Sequence, residues 1–274
     1  VAISQLEGQT MPEVTSHAPG SFCWIELNTS DPAAAKKFYS GLFNWQAEDT
    51  PAGPDMVYTM LRIRGLEVGA MCGLQPEQKA HGVPPHWMSY VSVESADDAA
   101  KKAASLGGTV LAGAFDVMDV GRMAIIQDPQ GATFCVWQPK AHIGAKLVME
   151  TGTFGWDELW TTDTTKATEF YTKLFGWGAK ESSAGAPMAY TEWQNGGQSI
   201  GGMLQIAPEM GPVPPNWLPY FMVEDCDAIA EKAKASGGKL FMPPTDIPNV
   251  GRFSVIQDPQ GATFAIIKLT GPHA

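Results

Sequence analysis

An eight-residue phrase, Gln-Asp-Pro-Gln-Gly-Ala-Thr-Phe, occurs twice in this chain of 274 residues, at 127–134 and again at 257–264. Flanking aromatic residues repeat as well, so that Trp24 returns as Trp156 in the same local context. Similarity at a long fixed spacing indicates a duplicated structural unit. We therefore expect two similar units of roughly 120 residues, each large enough to bury its own core.

Charge and hydropathy exclude several classes of protein. The net charge is −11 and the isoelectric point is near 4.8, with no cluster of Lys and Arg to neutralise phosphates. The sequence also lacks an apolar run of about 18 residues, the length that a membrane span needs. Neither nucleic acid nor a membrane is expected as a partner. Four cysteines without Cys-x-x-Cys spacing are typical of buried free thiols, which predicts a cytoplasmic protein.

Hydrophobic periodicity predicts the same order of elements twice within each half. Asp31-Pro32 is typical of a helix start, and Ala35, Phe38 and Leu42 then share one helix face. Asp128-Pro129-Gln130-Gly131 is predicted to be a turn before the last strand. The predicted elements of the first half are strands at 22–28, 57–63, 66–74, 87–93, 109–112, 122–127 and 132–138, and helices at 32–43 and 96–106.

These elements predict an α+β protein made of four βαβββ modules, two in each half. The polar segment at the start is predicted to be a tail, and the segment between the repeats a linker. The predicted organisation is a tail at 1–19, a first domain at 20–140, a linker at 141–151 and a second domain at 152–270.

The element order, the helix ending in Phe-Tyr-x-x-Leu-Phe-x-Trp and the Asp-Pro-x-Gly turn together resemble the vicinal oxygen chelate superfamily. That superfamily includes glyoxalase I, extradiol dioxygenases and the bleomycin-resistance binding proteins. The resemblance covers residues 20–139 and 152–270, and within the superfamily it extends to two-domain CFP30B-like proteins. It implies two glyoxalase-like domains, each with a cupped mixed sheet around a small-molecule site.

The resemblance also implies four metal-ligand positions in each pair of modules, usually held by His and Glu. In the first half these positions include Trp24, Met88 and Cys135, which do not supply the carboxylate or imidazole that hard or borderline divalent ions need. No cofactor is therefore expected. The alternative is a displaced divalent metal site using Glu26 and His86, which share strand faces with Trp24 and Met88.

The strand faces that the resemblance directs into the cups are rich in aromatic residues and Met. Such faces suit a flat, partly apolar molecule with a hydrogen-bond donor, although they could equally fill the sheet core. Arg122 and Arg252 open equivalent strands, where they would either form a salt bridge, with Glu26 and Glu158 as candidate partners, or anchor an anionic group. The candidate ligand-binding residues are Trp24, Asn28, His86, Met88, Tyr90, Arg122, Cys135, Trp137, Trp156, Trp160, Tyr220, Met222 and Arg252.

The favoured function is a metal-independent small-molecule-binding protein that holds an aromatic or partly apolar metabolite or antibiotic. The alternative is a glyoxalase-like lyase, isomerase or oxygenase, with a metal or with Glu26 and Glu158 as catalytic bases of raised pKa. A third possibility is that only one of the two domains binds a ligand. Fusion of the domains favours a monomer or a weak homodimer, because pairing of domains becomes intramolecular.

Overall fold

The structure is a computed structural model that describes residues 12–53, 56–182 and 189–270. Residues 1–11 of the predicted tail lie outside the described residues. The first domain contains β1 (Phe22–Thr29), α1 (Pro32–Phe43), β2 (Gln46–Gly53), β3 (Met56–Ile63), β4 (Leu66–Gly73), α2 (Pro76–Ala80), β5 (His86–Ser92), α3 (Ala96–Ser105), β6 (Thr109–Val117), β7 (Gly121–Gln127) and β8 (Thr133–Pro139).

The second domain repeats this order. It contains β9 (Phe154–Thr161), α4 (Thr164–Phe175), β10 (Gly178–Ser182), β11 (Tyr190–Asn195), β12 (Gln198–Gln205), β13 (Asn216–Met222), α5 (Cys226–Ala235), β14 (Lys239–Ile247), β15 (Gly251–Gln257) and β16 (Thr263–Leu269). A single 3-10 turn at Pro208–Met210 stands in the position of α2.

Each domain is one eight-stranded mixed sheet, which confirms the predicted α+β architecture. The strand order is β2-β3-β4-β1-β5-β8-β7-β6 in the first sheet, and the second sheet has the equivalent order. β1 is parallel to β4 and antiparallel to β5, and β5 is parallel to β8. The first strand of each module therefore lies at the centre of the sheet, beside its counterpart from the other module.

Local sequence explains most of these elements, with one clear miss. Asp31 caps α1 by accepting a hydrogen bond from the Ala34 amide, and Pro32 occupies the first turn, as predicted. β2 was not predicted, because it is an edge strand whose residues are mostly exposed and which contains Pro51. β6 extends to Val117, five residues beyond the predicted end at 112.

The two domains pack through the helix-bearing faces of their sheets and share one apolar core. Phe43 at the end of α1 lies 4.9 Å from Phe221 of the second domain, and Phe22 lies 5.1 Å from Trp217. Leu27 on the same face of the first sheet is fully buried in this core. The opposite face of each sheet forms the cup, and each cup has its own separate apolar cluster.

The duplicated phrase forms the predicted turn and also joins the domains. Asp128 Oδ1 accepts hydrogen bonds from three backbone amides of its own turn, while Oδ2 accepts one from the Tyr171 hydroxyl of the second domain at 3.0 Å. Asp258 is bonded to Tyr39 of the first domain in the same way, at 2.9 Å. Each tyrosine hydroxyl also accepts a hydrogen bond from a buried tryptophan indole. The repeat therefore forms a reciprocal pair of buried polar contacts between the domains.

Candidate functional site

A buried carboxyl lies at the centre of the second cup. Glu158 on β9 points into the cup, where its Oε1 accepts hydrogen bonds from Trp160 Nε1 at 2.6 Å and from the Tyr220 hydroxyl at 2.9 Å. The Tyr190 hydroxyl lies near Glu158, opposes the rise of its pKa, and accepts a hydrogen bond from Trp156 Nε1 at 3.0 Å. The carboxyl is thus surrounded by aromatic donors from three strands.

A neighbouring glycine makes room for this arrangement. Gly202 on β12 is paired with Glu158, and a Cβ at this position would lie 1.8 Å from the Tyr190 hydroxyl. Because this separation is far below van der Waals contact, an alanine here would displace the tyrosine.

The first cup repeats the arrangement with different flanking groups. The hydroxyls of Tyr58 and Tyr90 lie near Glu26 and oppose the rise of its pKa, and Tyr58 accepts a hydrogen bond from Trp24 Nε1 at 3.3 Å. Asn28, which replaces Trp160 in the repeat, donates to Glu26 Oε1 at 3.3 Å. The central strand, its carboxyl and two tyrosines are therefore common to both cups.

Electrostatics at both centres favour a ligand group that donates a hydrogen bond. Burial raises the pKa of Glu26 and of Glu158, while the hydrogen bonds from Tyr, Trp and Asn oppose that shift. Burial and the nearby carboxyl also hold the pKa of Tyr190 and Tyr220 well above the usual range, so both remain hydrogen-bond donors. Each centre can accept a hydrogen bond from a ligand donor and disfavours an anion.

Packing differs between the two cups. In the first cup Trp24, Met88, Tyr90, Cys135 and Trp137 are all less than a tenth exposed and pack on one another. Their side chains therefore fill the sheet core, which is the alternative that the sequence left open. Burial also holds the pKa of the Cys135 thiol well above its usual range, so it is not a thiolate nucleophile.

In the second cup the floor is buried but two tryptophans at the rim are accessible. Tyr220 and Met222 are buried, whereas Trp156 and Trp160 are partly exposed. Phe253 on β15 stacks with Tyr220 at a centroid distance of 6.3 Å. Part of the aromatic surface beside Glu158 therefore reaches solvent, while the Glu158 side chain itself is buried and its counterpart Glu26 in the first cup is partly exposed.

The two arginines do not line the cups, which corrects the sequence prediction. Arg122 Nε bonds Asp97 of α3 at 2.7 Å, and Arg252 Nε bonds Asp227 of α5 at 2.6 Å. Strand alternation is the reason: Met123, the neighbour of Arg122, faces the cup, so Arg122 faces the helices. Glu26 and Glu158 were the predicted salt-bridge partners, but neither arginine pairs with them. Both form salt bridges between strand and helix.

The side chains present do not form the metal site that the superfamily implies. Glu26 and His86 do lie on one cup face, but His86 Nδ1 hydrogen-bonds the Pro84 carbonyl at 2.8 Å, and burial lowers the pKa of the imidazole. Within residues 12–53, 56–182 and 189–270, no group of three or more His, Cys, Asp or Glu side chains is arranged to hold a metal ion. The position of the usual first ligand is held by Trp24, whose indole donates to Tyr58.

Tyr58 and Tyr190 were not among the predicted site residues. A signal for them exists, because Tyr58-Thr59 and Tyr190-Thr191 are separated by the same 132 residues as Trp24 and Trp156. The pair was overlooked because β3 and β11 are peripheral strands and only the packed sheet brings their hydroxyls to the central carboxyls.

Two grooves lie outside the cups, at the boundary between the domains. They have volumes of about 240 and 270 Å³ and are related by the repeat, one beside the ends of α1 and α5 and the other beside α3 and α4. Their walls combine the apolar ends of helices with acidic groups such as Glu94 and Asp225, without a converging set of hydrogen-bonding side chains. The cups are the better candidates. In the described part of the chain, the helices are too short or too polar to cross a membrane.

Comparison with known sequences gives consistent matches over almost the whole chain. The profile of the Glyoxalase/Bleomycin resistance protein/Dioxygenase superfamily matches residues 21–136 and again 150–266. "Putative glyoxylase CFP32" of Mycobacterium bovis is 41% identical over 259 residues, covering 94% of this chain and 98% of that protein. "Anthracycline biosynthesis protein DnrV" of Streptomyces peucetius is 33% identical, covering 93% and 96% of the two chains.

Solved structures show the same fold at low sequence identity. The Mn(II)-bound glyoxalase from Novosphingobium aromaticivorans superposes with a TM-score of 0.62 at 14% identity, covering 91% of this chain and 82% of that one. The 2,3-dioxygenase LapB from Pseudomonas sp. KL28 gives a TM-score of 0.61 at 11% identity, covering 94% and 95%. Both likenesses concern the fold alone.

Proposed function

Because the chain belongs to the glyoxalase/bleomycin resistance protein/dioxygenase superfamily, we propose that it is a small-molecule-binding protein that works without a divalent metal. The ligand is a flat, partly apolar molecule held in a cup. The observation that carries this proposal is the central carboxyl, which is hydrogen-bonded by tyrosine and tryptophan donors where the superfamily's usual site holds a cation.

The chemistry of the cup lining supports an aromatic ligand with hydrogen-bond donors. Trp156, Trp160 and Phe253 offer ring faces for stacking, and Glu158 offers an acceptor beneath them. A protein 33% identical is named for anthracycline biosynthesis, and anthracyclines are fused-ring aromatic compounds. A hydroxylated fused-ring molecule therefore fits both the lining and the name of this relative.

We propose a cytoplasmic location and a monomeric or weakly dimeric state. All four cysteines are free and buried, which suits a reducing compartment. The two domains already bury their helix-bearing faces against each other, so neither needs a second chain to cover that surface.

Calorimetric titration of EDTA-treated protein with 1,4-dihydroxyanthraquinone tests the binding proposal. We expect saturable binding whose affinity does not change when EDTA is present, since no contact in the cup requires an ion. Decahydronaphthalene-1,4-diol is a matched control that retains the hydroxyls and lacks the flat ring, and it should bind more weakly. Binding that appears only after Mn²⁺ or Zn²⁺ is added would contradict metal independence.

An enzyme is a second candidate, favoured by the raised pKa of Glu158 and Glu26. A carboxylate with a raised pKa is a stronger base and can accept a proton from a substrate as a general base. Turnover of a hemithioacetal or of catechol by the purified protein, with and without Mn²⁺ or Fe²⁺, tests this alternative. Turnover by the wild-type protein that is lost in Glu158→Gln would show that the protein is an enzyme and would contradict the binding proposal.

A further inference from the structure

The central carboxyls of the two cups differ in how a ligand can reach them. Glu158 in the second cup is 5% exposed, and its Oε1 accepts short hydrogen bonds from aromatic side chains at 2.6 and 2.9 Å. Glu26 in the first cup is partly exposed, and its Oε1 accepts longer hydrogen bonds from Asn28 at 3.3 Å and from the Cys72 thiol at 3.7 Å. A ligand can therefore bond Glu26 without displacing a short hydrogen bond.

Strand register places a polar row beside Glu26. The row crosses four neighbouring strands of the first sheet, β3, β4, β1 and β5. Because residues paired across adjacent strands lie on the same face about 5 Å apart, all four side chains of the row face the first cup. In strand order the row consists of Tyr58, Cys72, Asn28 and His86.

The equivalent row of the second cup is less polar. In strand order it consists of Tyr190, Leu204, Trp160 and Asn216. Leucine and tryptophan side chains carry no hydrogen-bond acceptor, so the acceptors that flank Glu26 have no full counterpart beside Glu158. The two cups therefore differ in the polar groups that a ligand would meet.

His86 presents a lone pair to the first cup. Its Nδ1 lies 2.8 Å from the Pro84 carbonyl oxygen, which can only accept, so Nδ1 carries the proton. Burial lowers the pKa of this imidazole, which favours the neutral ring with Nε2 as an acceptor. The Asn28 carbonyl oxygen accepts from the Cys72 thiol at 3.5 Å and has a second lone pair. Glu26, Asn28 and His86 thus bring three acceptors to one end of the cup.

The charge of Glu26 also favours a cation. The side chains that oppose the rise of its pKa, Tyr58, Asn28, Cys72 and Tyr90, carry no positive charge. The chain's net charge of −11 attracts cations to its surface. A divalent metal takes about four to eight ligands, and the described part of the chain holds no group of three His, Cys, Asp or Glu arranged for one. A primary ammonium has three donors, which match three acceptors.

We propose that this end of the first cup binds a protonated amine, so that the first cup selects a cationic aromatic molecule. The proposal rests on the proposed function for the ring of the ligand and adds the amine. The ring packs on Tyr58 and Met60, two partly exposed side chains on the cup face of β3. The ammonium donates to Glu26 in a charge-assisted hydrogen bond and to His86 beside it.

Calorimetric titration of the wild-type protein with three naphthalenes in the presence of EDTA tests the proposal. The probes 2-naphthylmethylamine, 2-naphthalenemethanol and 2-naphthoate share the ring and differ in charge. We expect the amine to bind at least about tenfold more tightly than the alcohol, and naphthoate to bind most weakly. Equal affinities for amine and alcohol, or displacement of the amine by Zn²⁺ when EDTA is omitted, would overturn the amine subsite alone. If neither the naphthalenes nor 1,4-dihydroxyanthraquinone bind, the proposed function is contradicted as well.

Substitutions then locate the amine. Glu26→Gln should weaken binding of 2-naphthylmethylamine at least about tenfold while leaving the affinity for the alcohol unchanged. Glu77→Gln, which removes the same charge from an exposed position of α2, is the matched control and should bind normally. His86→Asn, which introduces the side chain of Asn216 in the repeat, should weaken the amine about threefold and serves if Glu26→Gln does not fold. Unchanged affinity for the amine in both variants, or a loss in Glu158→Gln instead, would overturn the inference.

Discussion

Asp157 is the least favourable buried group in the described structure, and replacing it should stabilise the protein. It lies on β9, fully buried on the helix-bearing face, where the repeat has Ile25 in the first domain. Neither of its carboxyl oxygens has a hydrogen-bond partner within the described residues. The Ser89 hydroxyl of the first domain lies close enough to lower the pKa of Asp157 but does not reach hydrogen-bond geometry. Burial raises the pKa of Asp157 from 3.8 to about 8.

The cost of this carboxyl depends on pH with a definite sign. A carboxyl with a raised folded pKa holds its proton in the native state while the unfolded chain releases it, so stability falls as pH rises through that interval. Ionisation of Asp157 costs no stability well below pH 3.8, where the carboxyl is protonated in both the folded and the unfolded protein. The cost is complete above about pH 8, where the carboxyl is ionised in both. Since one pKa unit is worth about 1.4 kcal/mol, the penalty reaches about 4 kcal/mol at neutral pH.

Asp157→Asn removes the titration while keeping the size of the side chain. Urea unfolding of the wild-type and variant proteins between about pH 5 and pH 8 should give a stability difference that grows by about 1.4 kcal/mol per pH unit. At neutral pH the variant should melt roughly 10 °C higher, given about 2–4 °C per kcal/mol for a chain of this size. Asp119→Asn, at an exposed position, is the control and should leave the pH profile unchanged. A stability difference that is the same at every pH would refute the reasoning.

Other substitutions test the remaining contacts. Tyr39→Phe leaves Asp258 Oδ2 and the buried Trp87 indole without a partner, so urea unfolding should show a loss of about 1–3 kcal/mol. Gly202→Ala places a Cβ against the Tyr190 hydroxyl, and a lower melting temperature should be accompanied by weaker binding of 1,4-dihydroxyanthraquinone. Arg122→Met removes a partly exposed salt bridge on the helix side, so the melting temperature should fall slightly in low salt while affinity for the same probe is unchanged. Retained stability in the first case, retained binding in the second, or lost binding in the third would contradict the assigned contacts.

Sequence reasoning recovered the features that depend on local pattern and on the repeat. The cap at Asp31, the turn at Asp128 and the order of modules all follow from short-range chemistry, and they fix the fold. β2 was missed because an exposed edge strand has little alternation to detect. A salt bridge of Arg122 was one of the predicted alternatives, but its partner on α3 was missed because one residue of register decides which face of the sheet a side chain occupies.

The candidate site was predicted less completely for a related reason. Glu26, Glu158, Tyr90 and Tyr220 could be placed in the cups by counting along central strands. Tyr58 and Tyr190 were missed because they come from the peripheral strands β3 and β11. The packing of the His142 ring against Trp24, at a centroid distance of 4.7 Å, depends on the path of the linker, which no periodicity describes. Burial of Asp157 without a partner likewise becomes visible only when the two domains are packed together.

A crystal structure of the metal-free protein bound to 1,4-dihydroxyanthraquinone tests the central claim most directly. We expect the ring system against the aromatic side chains of a cup, with a hydroxyl donating to the central carboxyl, Glu26 or Glu158, and with no metal ion between them. Ligand density only in the grooves between the domains, or a ligand held through a metal ion, would contradict the account.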